Sequence, residues 1–186
     1  MDRYSCYGEK MTDQTYLNRY FSDVWDRNDA LEPWEQAIAE AIDPTASVID
    51  VGCGPNLFQE YFVDIVGIDP ANQLADHQVT IEEFQTEKRF DVALCLGSIN
   101  FGSRERIEHQ IACVVKLLKP QAYIYWKCNP GLHDHENHEC EQIDFYPWSE
   151  SEHQRLSAQF GFRLERCEQI ESGKQRRRLL AVWSRG

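Results

Sequence analysis

Long apolar runs are missing from this sequence: its longest charge-free stretch, residues 92–103, spans 12 residues, against roughly 20 for a helix that crosses a bilayer. Residues 1–9 carry charges and no apolar run, so the hydrophobic region of a secretory signal is not there, and a cytoplasmic protein without a membrane segment is expected. Cys-x-x-Cys is absent too. An odd number of cysteines, seven scattered between Cys6 and Cys167, suits reduced, mostly buried thiols better than disulfides. Positive charge is scarce: 19 Lys and Arg against 31 Asp and Glu give a net charge of −12. Such a surface repels phosphate backbones and makes nucleic acid an unlikely partner, while leaving small or cationic substrates open. With 10 glycines, 7 prolines and 42% hydrophobic residues, the composition is neither collagen-like nor disordered, and the length fits one packed domain, residues 1–186.

The acidity is uneven, with four basic against ten acidic residues in positions 1–46. That segment reads as a helical cap. Tyr16, Leu17, Tyr20, Phe21 and Val24 recur at helical spacing, and Pro33 opens a second helix that should stop before Asp43-Pro44. Residues 47–186 read as an α/β core, in which short apolar runs alternate with helical stretches as in a parallel sheet covered by helices. Strands are expected at 47–51, 64–68, 78–79, 91–96 and 122–127, and helices at 103–118 and 150–160, the latter capped by Ser149 and closed by Gly161. Residues 162–170 and 177–184 flank a turn at 171–174 and predict an antiparallel pair that closes the sheet.

The most informative stretch is VIDVGCGPN, residues 48–56, where a buried strand runs into Gly52-Cys53-Gly54. Glycines there let backbone approach a ligand at the carboxyl end of a strand. Asp50 sets a carboxylate before the loop, hostile to a pyrophosphate and welcoming to an ammonium. Pro55 removes an N–H that phosphate cradles use, and the third glycine of a dinucleotide fingerprint falls on Leu57. In VGIDP, Asp69 follows Gly52 by 17 residues, near the spacing at which an acid accepts from ribose hydroxyls. A ribose-bearing, cationic ligand without phosphates fits both acids, and S-adenosylmethionine meets that description.

Through VIDVGCGPN, VGIDP, FDVALCLGSINFG and LLKPQAYIYWKCNP, the chain resembles the class I S-adenosylmethionine-dependent methyltransferases over residues 48–184. The resemblance implies a Rossmann-like, seven-stranded, mostly parallel sheet with a reversed C-terminal strand and helices on both faces. It also implies that Asp50, Gly52 and Gly54, with Cys53 and Asn56 in the same loop, hold the methionine end of the cofactor, and that Asp69, with Pro70 beside it, holds the ribose. Thr80 and Ile81, with Glu82 beside them, are the candidates near adenine, and Leu96, Gly97 and Ser98 turn across the cofactor. The acidic or amide residue followed by Pro-Pro and an aromatic, typical of amino-group DNA methyltransferases, is missing after the fourth strand.

Methyl transfer from a sulfonium asks the protein chiefly to align nucleophile, methyl and sulfur, and a protonated nucleophile also needs a base. Residues 129–140 are dense in polar groups, and His133, His135 and, further on, Tyr146 are the candidate catalytic residues. The same loop also reads as a solvated lid, or as a metal site; its His-x-His-x-x-His-x-Cys spacing matches no standard zinc pattern, so no metal is expected. Tyr20, Asn100, Asn129 and Trp148 are candidate substrate contacts. The aromatics Tyr4, Tyr7, Tyr16, Tyr20, Phe21 and Trp25, and those of residues 145–148, read as core formers or as pocket walls. Lys174 with Arg176, Arg177 and Arg178 forms a basic patch that suits either charge at an exposed strand edge or guidance of an anionic partner. The expected activity is methyl transfer to a small molecule or a protein side chain. The alternatives are a non-catalytic cofactor-binding module and, behind it, a nucleic-acid methyltransferase.

Overall fold

The computed structural model describes residues 13–24, 30–136 and 138–186; Tyr4, Cys6, Tyr7 and Trp25 lie outside them. Helix α1 (Gln14–Arg19) starts at Asp13, whose side chain accepts from Thr15 N, and runs on into a π-helical turn, Tyr20–Val24. Pro33 opens α2 (Pro33–Ala41), and Glu32 caps it reciprocally with Glu35. This helix ends before Asp43-Pro44, as the proline requires.

Six strands form one sheet in the order β2 (Asp64–Ile68), β1 (Ser47–Val51), β3 (Phe90–Leu96), β4 (Leu118–Cys128), β6 (Arg176–Arg185), β5 (Arg163–Ser172). All neighbours are parallel except at β6, which is antiparallel to both β4 and β5. The reversed final strand is therefore present, and the described residues form six strands rather than seven. At the expected strand 78–79 the chain makes one bridge, Ile68 to His77. Val79 N then donates to His77 O at 3.0 Å, a tight turn that ends the ladder after a single residue. The basic triplet precedes residues 179–185, the part of β6 that pairs with β4, and Arg176, Arg177 and Arg178 pair with β5 alone.

Helix α3 (Arg104–Lys116) is capped by Ser103 and α4 (Glu150–Gln159) by Ser149, each side chain accepting the N–H three residues on. Both cover one face of the sheet, over a core containing Ile49, Cys95, Ile111, Trp126, Trp148 and Trp183. Helix α2 covers the other face through Ile38 and Ile42 on Val48, Leu94 and Leu180. Burying each such side chain is worth about 1.5–3 kcal/mol. A third cluster joins Leu17 and Tyr20 of the N-terminal helical segment to Phe101, Cys140, Ile143 and Phe145. It places that segment over the carboxyl ends of the strands. The six described cysteines are all free thiols, and no helix among the described residues is long and apolar enough to cross a membrane.

Candidate functional site

The carboxyl ends of β1 to β4 open into a cavity of about 380 Å³ roofed by residues 14–21, the position at which open α/β sheets bind ligands. The glycine loop turns over the end of β2: Gly52 N and Cys53 N both donate to Ile68 O, at 2.7 and 3.1 Å. Gly52 has φ +72°, and a Cβ there would collide with the Ser98 side chain, so two loops meet at a residue that has to be glycine. Asp69 fastens the arrangement, accepting from Gly54 N at 3.0 Å through one oxygen and from Ala71 N and Asn72 N at 2.7 and 3.0 Å through the other.

Among the residues singled out from sequence, Phe21, Gly52, Cys53, Gly54, Asp69, Pro70, Thr80, Ile81, Glu82, Leu96, Gly97, Ser98, Asn100, Asn129, His135, Lys174, Arg176 and Arg178 line this cavity. The others lie elsewhere, for identifiable reasons. Asp50 is 3% exposed and shares the α2 face with Val48 by strand alternation, behind the loop. Asn56 adopts a left-handed conformation at φ +60° and is buried against Gly67, where its side chain fills the space a Cβ would need. His133 turns Nδ1 to Cys140 O at 3.1 Å. Phe145 lines the cavity while its neighbour Tyr146 points away and donates to Glu152 at 2.8 Å. Trp148 donates to Ile99 O at 3.0 Å and stacks on His153; it is core. Tyr20 is fully buried beneath the wall, its hydroxyl 3.4 Å from His135 Nδ1.

Sequence reading missed several wall residues. Gln110 of α3 donates to Glu82 at 2.8 Å, yet Gln110 Oε1, Glu82 Oε2 and Ser98 Oγ are buried without a hydrogen-bond partner. Glu35 of α2 and Lys127 at the end of β4 also line the cavity, with the Lys127 ammonium 4.7 Å from the Trp34 ring centre. Burial, with the charges of Glu35 and Asp69, pushes the Asp50 carboxyl up to about 8, and burial raises Glu35 as well. Two confined carboxyls near the glycine loop would thus gain from a cation. No motif announces Gln110 or Lys127; their only sequence signal is a polar residue at a buried position of α3 and a charged one at a half-buried position of β4.

No protein-family model matches the sequence, and no curated protein matches it. Solved structures do. The 1,6-didemethyltoxoflavin-N1-methyltransferase of Burkholderia thailandensis, with 1,6-didemethyltoxoflavin and S-adenosylhomocysteine bound, superposes with TM-score 0.70 at 19% identity over 92% of this chain and 85% of that one. The magnesium protoporphyrin IX methyltransferase of Synechocystis PCC 6803, with S-adenosylmethionine bound, gives 0.66 at 14% identity over 99% and 100%. N-methyltransferase NodS of Bradyrhizobium japonicum WM9, with S-adenosylhomocysteine bound, gives 0.63 at 17% identity over 93% and 99%. The chain has the class I methyltransferase fold. Within this class I fold, the single bridge at His77 stands at the sheet border where the seventh strand was expected.

Elsewhere in the same cavity Asn100, Asn129, His135 and Arg178 are paired. Asn100 donates to Gly97 O and accepts from Asn129 N, both at 2.8 Å, and Asn129 closes a turn onto Leu132 through both ends of its amide. His135 is 8% exposed, and burial together with Arg176 and Arg178 holds its pKa down to about 3. Arg178 can only donate, so the 3.0 Å contact to His135 Nε2 makes that nitrogen the acceptor and puts the ring proton on Nδ1, toward Tyr20. The lone pair that a general base would use is already taken.

Proposed function

We propose that this protein is an S-adenosylmethionine-dependent methyltransferase acting on a small molecule, with residues 1–46 as a helical cap on a 47–186 core. One observation carries the reading: at the glycine-loop end of a class I cavity, three buried polar atoms on Ser98, Glu82 and Gln110 lack partners beside raised carboxyls at Asp50 and Glu35. Unpaired buried polar atoms cost about 1–3 kcal/mol each, which a ligand bearing hydroxyl or amino donors and a positive charge offsets. Asp69, already oriented by three backbone N–H groups, keeps lone pairs for ribose hydroxyls. Gly52 and Gly54 bring bare backbone to the methionine portion, and the Glu82–Gln110 pair faces the amino edge of adenine.

When bound, S-adenosylmethionine supplies an electrophilic methyl on a sulfonium. The chain's part is positioning and exclusion of water: residues 14–21 roof the cavity, and Phe101 and Phe145 wall the side away from the loop. With His135 Nε2 engaged by Arg178, the protein contributes no ready base there, so the nucleophile is one that reacts without losing a proton to the enzyme. Calorimetric titration with S-adenosylmethionine and S-adenosylhomocysteine, with NAD and ATP as controls, tests the assignment. Micromolar binding of the first two alone is expected; binding of NAD instead, or of none of the four, overturns it.

A further inference from the structure

Three phenylalanine rings line the cavity in an unbroken row, each brought there by a different segment. Phe101 and Phe145 come from the connections that follow β3 and β4. Gly102 N donates to Asp144 O and Tyr146 N to Asn100 O, both at 2.8 Å, on either side of an antiparallel bridge between the two phenylalanines. Residues directly opposite each other in such a pair send their side chains to one face, and the two rings lie with centres 5.5 Å apart. Phe21, on the π-helical turn of the cap, extends the row: its ring centre is 5.4 Å from that of Phe101.

The protein alone holds this row in place. Phe145 has His133 edge-on at 5.3 Å and His135 at 5.8 Å, and Phe101 packs in one apolar cluster with Leu17, Tyr20 and Ile143. Polar side chains that line the cavity from the same segments are spent within the chain. Gln14 accepts from Arg106 and donates to Asn18, Asn100 donates to Gly97 O and accepts from Asn129 N, and Asn129 bonds Leu132 at both ends of its amide. What this wall offers a ligand is therefore apolar and aromatic. Neighbouring rings of the row are inclined at 50–55° to each other, so they present edges as well as faces, the two surfaces on which a further aromatic ring packs favourably. A preordered row also costs little entropy to use.

We infer that the methyl acceptor carries a planar aromatic ring, which docks on the row formed by Phe21, Phe101 and Phe145. This rests on the methyltransferase reading above and names its substrate class. Ligand-detected NMR titration of the S-adenosylhomocysteine-saturated protein with phenol, benzamide and 2-naphthol tests it, each against its ring-saturated counterpart: cyclohexanol, cyclohexanecarboxamide and decahydro-2-naphthol. All six are uncharged at neutral pH, so each pair differs in the ring. Each aromatic probe is expected to bind roughly three- to tenfold tighter than its saturated partner, the size of an aromatic contact beyond area burial. Phe21 is half-buried, and its replacement leaves the Phe101–Phe145 bridge intact. Phe21→Leu should weaken the aromatic probes about threefold and shift the saturated ones by less than about twofold, whereas Phe21→Tyr should keep the preference. S-adenosylhomocysteine affinity should stay within about twofold of wild type in both variants. Equal affinity within the pairs, tighter binding of the saturated members, absence of binding by all six, or a preference untouched by Phe21→Leu, in protein that binds S-adenosylhomocysteine, overturns the inference. Failure to bind S-adenosylhomocysteine at the outset overturns the underlying reading instead.

Discussion

The two ends of the cavity solve the burial of polar groups in opposite ways. At the glycine loop, Ser98, Glu82 and Gln110 keep buried atoms without partners, and Asp50 sits as a confined carboxyl near Asp69 and Glu35. At the β4–β6 end, Asn100, Asn129 and Arg178 are each tied by two or more hydrogen bonds, and His135 is held between Tyr20 and Arg178. Unpaired buried groups raise the free energy of the empty protein and lower that of the complex, so the first end is built for a ligand rich in donors. The second end holds Asn100, Asn129 and Arg178 in hydrogen bonds before anything binds.

The sharpest way to break this contrast is Asp69→Ala. It removes the acceptor of three backbone N–H groups that hold the glycine loop and the turn after β2, together with the proposed ribose partner. A loss of cofactor affinity of more than about a hundredfold, roughly 3 kcal/mol, is expected by calorimetry with the far-ultraviolet circular dichroism unchanged. Wild-type affinity would remove the ribose assignment and leave Asp69 as a purely structural clamp.

pH should act on the two ends with opposite sign. Asp50, at about 8 against an ordinary 3.8, holds a proton in the folded state that the unfolded chain releases, so its contribution grows as pH falls from 8 toward 4 and is lost as pH rises through 8. His135, at about 3, stays neutral when folded while the unfolded chain takes up a proton below about 6.5; stability is lost as pH falls from 6.5 toward 3. His153, fully buried against Trp148 and also at about 3, adds to that acid limb. Denaturant melts should therefore show Asp50→Asn gaining stability over wild type above pH 8. His135→Gln should recover up to about 2 kcal/mol at pH 5, 1.5 units below the ordinary value at roughly 1.4 kcal/mol per unit. Parallel pH curves for wild type and both variants would show that neither buried group titrates as its surroundings dictate.

How far the sequence discloses this arrangement follows the same division. The glycine-loop end is built from contiguous residues at strand ends, where Gly52, Gly54 and Asp69 must follow buried runs at fixed spacing, so a strand, a turn and an acid can be read in line. The β4–β6 end is assembled from positions 127, 135, 176 and 178, brought together only once β6 inserts between β4 and β5. Nothing local marks where β6 begins to pair with β4, so the contact of Arg178 with His135 goes unannounced in the sequence. Tyr146 and Trp148 mislead for a related reason: an aromatic cluster predicts burial, but the alternation that sends Phe145 to the cavity and Tyr146 to Glu152 is fixed by the bridge between Phe101 and Phe145. The strand at 78–79 fails because Val79 folds back on His77, a turn without glycine or proline to announce it.

Gln110→Leu refines the contrast with a smaller effect. It removes a buried, unpartnered Oε1 but also takes the Nε2 donor from Glu82, so the two changes oppose each other and the ligand-free protein should change in stability by less than about 1 kcal/mol. Cofactor affinity should fall about tenfold, because the adenine edge loses an acceptor and Glu82 loses the donor that orients it at 2.8 Å. A variant both less stable and unchanged in binding would mean that Gln110 serves packing alone.

The smallest effect is expected at His133, which the sequence presents as equal to His135. Its Nδ1 faces Cys140 O at 3.1 Å and its ring stands edge-on to Phe145, so it buttresses a wall residue from outside the cavity. His133→Ala should change turnover by less than about twofold once an acceptor is in hand, since a residue without contact to the reacting atoms alters the rate only through the position of Phe145. His135→Gln, by contrast, should raise KM for the acceptor more than it lowers kcat, because Arg178 loses the acceptor that shares its fork with Asp134. If His133→Ala proved the more damaging of the two in kcat, a proton-transfer role for the loop would replace the reading in which the nucleophile loses no proton to the enzyme.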